Sequence, residues 1–100
     1  MGWQVIALGS IDLRKTASLA QIFSLHKKLD ALEQVVKCEI HVGYLNIEMS
    51  GNKGINYEPV TDILKAYYEI IDGEVNLSEY SETGEGLYFD PASDREQEEE

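Results

Sequence analysis

Seven apolar residues between Leu19 and Val36 recur three or four positions apart: Leu19, Ile22, Phe23, Leu25, Leu29, Leu32 and Val36. This run stands between stretches in which apolar residues alternate. A chain whose hydrophobic period switches from 2 to 3.6 and back must lay a helix against strands. The stripe predicts an amphipathic helix within Thr16–Val36, started by a capping box of Ser18 and Gln21.

The flanking stretches supply the strands. Trp3–Leu8 is apolar on both alternating faces apart from Gln4, as befits a central strand, and Ile11 and Leu13 extend the alternation. Cys38, Ile40 and Val42 alternate with Lys37, Glu39 and His41. After Gly43-Tyr44 the apolar set is Leu45, Ile47 and Met49, one residue out of phase. A Gly-X pair between two such runs predicts a two-residue type II′ hairpin turn, and a glycine bulge in one long strand gives the same slip.

Pro59 suits the first turn of a second helix, whose stripe is Val60, Ile63, Leu64, Tyr67, Ile70 and Ile71, with Gly73 as its left-handed stop. Val75 and Leu77 alternate, Leu87-Tyr88-Phe89 is β-prone, and Thr83-Gly84-Glu85-Gly86 between them is turn chemistry, which predicts a final hairpin.

The element order is strand, helix, strand, strand, helix, strand, with an extra short strand at the C-terminal end. This order resembles the ferredoxin-like split β-α-β (βαββαβ) architecture of the α+β class. It implies an antiparallel sheet with two helices on one face. The expected organisation is a single domain over residues 1–91 and a disordered acidic tail over 92–100, where Ala92 is the last apolar residue. With 43% hydrophobic residues the chain has enough apolar material for one two-layer core.

Cys38 is the single cysteine, so no internal disulfide is expected, and the N-terminal apolar run is too short for a signal peptide or a membrane span. The expected location is cytoplasmic. Sites for chemistry are sparse. Cys38, His41 and His26 are the only soft metal ligands, and Cys38 and His41 point to opposite faces of one strand, so no metal site is expected. Cys38 reads as a small core residue. The Gly51-Asn52-Lys53-Gly54 loop lacks the spacing of a phosphate-binding loop, and Glu58 at the following helix start would repel a phosphate. The expectation is a protein that is not an enzyme and takes no cofactor.

Charge is where the chain is unusual. Residues 1–57 carry six Lys and Arg against five acids, whereas residues 58–100 carry two against fourteen. Lys27, Lys28 and Lys37 make one modest basic cluster in a protein of net charge −11, which argues against direct nucleic-acid binding. Five of the fourteen acids lie in the tail. The other nine lie on or between the second helix and the last strands. Asp62, Glu69 and Asp72 are expected to share an exposed helix face, followed by Glu74, Glu79, Glu82, Glu85 and Asp90. Alternate strand residues are about 6.5–7 Å apart and same-face helix neighbours about 5–6 Å, comparable with phosphate spacing along a strand.

Such an array, with Tyr68 and Tyr80 as interface anchors, predicts binding to a basic protein, a nuclease or another nucleic-acid-binding effector. Size and acidity are similar to those of phage-encoded nucleic-acid mimics, including anti-restriction and anti-CRISPR proteins, and the same partner chemistry suits an immunity protein to a nuclease toxin. The alternative is a small homodimeric ligand-binding or regulatory domain whose acidity serves solubility only. In that reading Gln4, Glu39, His41 and Asn46 populate a sheet face left to be covered.

Overall fold

The computed structural model describes residues 4–80 and 86–91. The elements are β1 (Gln4–Asp12), α1 (Leu19–Asp30), β2 (Val35–His41), β3 (Tyr44–Asn52), α2 (Glu58–Ala66), a 3-10 turn (Tyr68–Ile70), β4 (Val75–Glu79) and β5 (Gly86–Phe89). The five strands form one sheet in the order β2-β3-β1-β4-β5, and every neighbouring pair is antiparallel. The protein is an α+β fold, with β1 at the centre of the sheet.

Alternation decides the two faces. Ala7 and Ile11 of β1, Leu45, Ile47 and Met49 of β3, Val75 and Leu77 of β4, and Leu87 and Phe89 of β5 are buried on one side. They join Leu25 and Leu29 of α1, Val60 and Leu64 of α2, and Ile70 and Ile71 in a single cluster. Both helices bury their apolar sides into that cluster, so they cover the same face. Each fully buried aliphatic side chain contributes about 1.5–3 kcal/mol of transfer free energy. β4 lies so close to β1 that a methyl group on Gly9 would overlap the Asn76 carbonyl oxygen and the Leu77 side chain. Glycine at this position lets the central strand approach its neighbour.

The capping box is present: Ser18 Oγ accepts from the Gln21 amide at 3.1 Å, and Gln21 Oε1 accepts from the Ser18 amide at 2.9 Å. The helix it starts is shorter than the stripe. It ends at Asp30, and Val36 belongs to β2, where a bulge leaves it exposed. Leu19 and Phe23 are exposed as well. They lie well round the helix from the line of Leu25 and Leu29, and a helix lying flat on a sheet seals only a narrow strip.

The hairpin is present with a different turn. His41 pairs with Tyr44, so the two loop residues are Val42 and Gly43, and Gly43 alone has positive φ, at 87°. A type II′ turn needs positive φ at its first central residue, which here is Val42. The glycine therefore sits second, Val42 is fully exposed instead of lying on the core face, and Tyr44 starts β3.

The second stripe is also broken. α2 stops at Ala66, where Tyr67 leaves helical geometry and its hydroxyl meets Ser24 Oγ of α1 at 2.5 Å. Glu69 then falls in the 3-10 turn and Asp72 in the connection to β4. Asp62, Glu69 and Asp72 thus do not share one helix face, because a 3-10 turn advances by a different angle per residue. Gly73 does adopt positive φ, at 81°, beyond the 3-10 turn. The final hairpin forms between β4 and β5. Its connection at 81–85, with Glu82 and Glu85, lies outside the described residues, as does the expected tail at 92–100.

Candidate functional site

Strand order brings together residues far apart in the sequence. β1 ends where β4 begins, because the two run antiparallel with Ser10 opposite Asn76. Beyond that pair the register shifts, for Leu13 bridges Ile71, which sets Asp12 opposite Asp72 instead of Glu74. Continuing the β4–β5 register from Val75 opposite Phe89 sets Glu74 beside Asp90. Neighbouring strands are about 4.8 Å apart, so two carboxylate-bearing pairs, Asp12 with Asp72 and Glu74 with Asp90, lie at one end of the sheet. The Asp72 amide donates to the Asp12 carbonyl at 2.8 Å and the Arg14 amide to the Ile70 carbonyl at 2.9 Å, which holds Asp72 and the 3-10 turn with Glu69 at this same end.

Asp12, Glu69, Asp72 and Glu74 are exposed. None of the four takes part in an ion pair among the described residues, where the ion pairs present are Lys37–Glu39 and His41–Glu39. Glu74 does accept a hydrogen bond from the Tyr88 hydroxyl. That bond first, and the nearby negative charges of Glu74 and Asp90 with it, raises the Tyr88 phenol pKa, so the ring keeps its proton as a donor. This end of the sheet is thus an acidic rim with a tyrosine hydroxyl inside it.

Of the acids singled out by sequence, Glu69, Asp72, Glu74 and Asp90 meet at this rim. Asp62 stands apart on the exposed side of α2. Glu79 is at the opposite end of the sheet, on the helix-covered face, where its Oε2 accepts from the Tyr57 hydroxyl at 2.6 Å. It ties the start of α2 to the end of β4 and is a structural acid. Burial first, then the hydrogen bond and charge of Glu79, raises the Tyr57 phenol pKa. Tyr68 is half-buried against the core, whereas Tyr80 is exposed on the sheet face opposite the helices. Asp12 was missed, because it belongs to the charge-balanced half of the chain. Its signal lay in the strand order, which makes the end of β1 meet the segment that leads into β4.

The face opposite the helices is covered by no described element. Gln4, Glu39, His41 and Asn46 lie on it, as do Lys37, Glu48, Ile6, Leu8, Ser10, Ser78, Tyr80 and Tyr88. On β2 and β3 its polar groups are tied to one another. Ser10 Oγ donates to Asn46 Oδ1 at 2.7 Å, Asn46 Nδ2 approaches His41 Nε2 at 3.4 Å, and His41 stacks on Tyr44 with centroids 4.9 Å apart. Glu39 lies 3.8 Å from Lys37 Nζ and 3.7 Å from His41 Nε2. A shallow concavity of about 340 Å³, lined by Leu8, Ser10, Lys37, Glu39, Asn46 and Glu48 among others, runs across this face.

Cys38 is buried, and burial, with the Asp30 charge adding, pushes its thiol up to about 11. His26 Nε2 lies 2.7 Å from the Cys38 carbonyl oxygen, so that histidine holds backbone. Among the described residues no three His, Cys, Asp or Glu side chains converge as a metal-binding group. The Gly51–Gly54 loop folds onto Gln34, whose side chain accepts from the Asn56 amide at 2.8 Å and donates to the Gly54 carbonyl at 3.3 Å. No helix of the described residues is long and apolar enough to cross a membrane. Comparison with protein-family models, with curated proteins and with solved structures found no match for this chain.

Proposed function

We propose that the protein is a non-enzymatic binding protein whose acidic rim docks on a basic, nucleic-acid-handling protein and occupies its nucleic-acid groove. The observation that supports this reading is the convergence of Asp12, Glu69, Asp72 and Glu74 at one end of the sheet with no ion pair to neutralise them among the described residues. Carboxylates fixed on strand ends and on a hydrogen-bonded connection cost less entropy to present than carboxylates on a solvated tail. The Tyr88–Glu74 bond adds a polar anchor of the kind enriched at interfaces. The partner class is a nuclease or other nucleic-acid-binding effector in the cytoplasm. The corresponding roles are anti-restriction, anti-CRISPR or nuclease immunity.

The fine architecture belongs to the same proposal: a ferredoxin-like split βαβ with β5 added beyond β4. Support comes from the position of β1 between β3 and β4, antiparallel to both.

The test is capture of a basic partner on the immobilised full chain after nuclease treatment, at low and high salt, followed by competition with a DNA duplex. Mimicry requires retention at low salt, release at high salt and displacement by the duplex. The double reversal Asp72→Lys with Glu74→Lys should weaken binding more than removal of residues 92–100. Binding that survives the reversal and is lost with the tail would sink the reading.

A further inference from the structure

Between Asp12 and Asp30 the chain carries Arg14, Lys15, Lys27 and Lys28 and no acid, although 19 of its 100 residues are acidic. None of these four cations takes part in an ion pair among the described residues. The stretch is α1 with the connection that leads into it. Along the outer side of α1, Leu19, Phe23 and Lys27 follow one another at four-residue intervals, about 6 Å apart on the helix axis. All three are exposed, Leu19 at 69% and Phe23 at 55%.

The strand beside α1 continues the same chemistry. His26 Nε2 lies 2.7 Å from the Cys38 carbonyl oxygen, which seats that side of α1 on the free edge of β2. β1 and β2 both run antiparallel to β3, so α1 between them returns the opposite way. One step back along α1 from His26 therefore matches one step forward along β2 from Cys38. Phe23 and Leu19 are thereby set beside Ile40 and Val42, which are 39% and fully exposed. The Leu13 amide donates to the Gly43 carbonyl at 2.9 Å, which brings Arg14 and Lys15 to the hairpin tip. Four apolar side chains from two elements thus line one seam with cations at both ends, and Asp30 follows only past Lys27.

We propose that this seam is a second docking surface and that its occupant is an acidic amphipathic helix of a partner protein. The proposal is independent of the acidic rim. Apolar side chains four apart on a helix fit a partner stripe of i, i+3, i+4 spacing, and the flanking cations select acids beside that stripe. Strand addition is opposed by the bulge at Val36, the charge of Lys37 and the hold of His26 on the Cys38 carbonyl. A second copy of this chain does not supply the helix from α2, whose Val60 and Leu64 are buried in its own core. An anionic bilayer shares the chemistry but not the shape. It is flat and extends past the seam, so its headgroups meet the acidic rim at the same end of the molecule, which a single helix does not.

The probe is a synthetic helical peptide of leucine and glutamate with one apolar stripe flanked by acids, used beside its scrambled isomer and its lysine-for-glutamate counterpart. Titrated into the isotope-labelled full chain, the acidic peptide should shift the amide signals of residues 19–27 and 40–43 and leave those of 72–76 in place. Its affinity should fall with salt. Val42→Ser removes an apolar group that has no place in the core, so the melting temperature should stay while affinity falls about tenfold. Phe23→Ser should weaken binding as much, and Lys27→Glu about three- to tenfold with a flatter salt dependence. The lysine peptide should shift 72–76 instead, so each surface fails or stands by itself. The proposal is overturned if the acidic peptide leaves the seam unshifted at millimolar concentration or the scrambled isomer binds equally. It is also overturned if Val42→Ser and Phe23→Ser both spare binding, or if the lysine peptide maps to the seam. Flotation of the chain with phosphatidylserine vesicles that Phe23→Ser abolishes would assign the seam to a membrane and overturn it as well.

Discussion

Tyr57→Phe removes one oxygen from the protein, and the structure says what that oxygen does. The Tyr57 hydroxyl donates to Glu79 Oε2 at 2.6 Å, between the residue that precedes α2 and the last residue of β4, in a half-buried position. A hydrogen bond to a charged group contributes about 1.5–3 kcal/mol, and partial exposure of both partners moves the expectation to about 1–2 kcal/mol. Against a total of about 5–15 kcal/mol for a domain this size, that is a large fraction. Urea unfolding followed by circular dichroism reads it directly. With a slope of about 1–3 kcal/mol per molar for a small domain, the midpoint should fall by roughly 0.3–2 M.

The pH dependence supplies the sharper check. The Tyr57 phenol pKa is raised in the folded protein, so folded chains hold that proton where unfolded ones release it. Its stabilisation is fully present below the unfolded value near 10 and declines as pH rises above it. The stability gap between wild type and Tyr57→Phe should be flat from neutral pH to the onset of phenol ionisation and then shrink. The other tyrosines ionise alike in both proteins and cancel. A gap below about 0.3 kcal/mol at neutral pH would refute the structural role of the bond, since surface substitutions produce that much scatter. A gap that persists unchanged at high pH would refute it as well.

Gly9→Ala should destabilise by about 1–3 kcal/mol, seen as a lower urea midpoint, because the new methyl group overlaps backbone and side chain of β4 and the strands must part. Gly43→Ala, where nothing lies within 4 Å, costs only the strain of positive φ and should be milder. Cys38 should react slowly with a thiol reagent in the folded protein at pH 8. A thiol held at about 11 is only about 0.1% thiolate there, and folding stability should decline as pH rises from the unfolded thiol value of 9.0 toward 11.

Legibility in the sequence followed how local the determining physics is. The capping box of Ser18 and Gln21, the chain reversal between Cys38 and Met49, and the central-strand character of residues 4–12 are written in neighbouring residues and could be read there. The stop of α2 at Ala66 could not, because it depends on Tyr67 reaching Ser24 on the other helix. A stripe of Val60, Ile63, Leu64, Tyr67, Ile70 and Ile71 reads as one helix to any periodic test, yet Ile70 and Ile71 reach the core from beyond the helix. For the same reason the acids were grouped wrongly. Asp62 and Asp72 look like neighbours on a helix face, while the strands set Asp72 against Asp12. Glu79 looked like one more surface acid, and only the fold gives it Tyr57.

The central place of β1 has a consequence for how this chain is made. β1 is synthesised before either of its partner strands and can pair with neither until β3 has left the ribosome, because Ala7 is matched to Met49 and later to Glu79. Until then the apolar run of residues 4–12 has only α1 and the β2 segment to shelter it. Contacts of such sequence separation slow folding and lengthen exposure of unpaired strands. The cell therefore meets the β1 segment as an aggregation hazard before the acidic surface has formed, and a fusion partner that keeps the nascent chain soluble should improve yield most when placed ahead of β1.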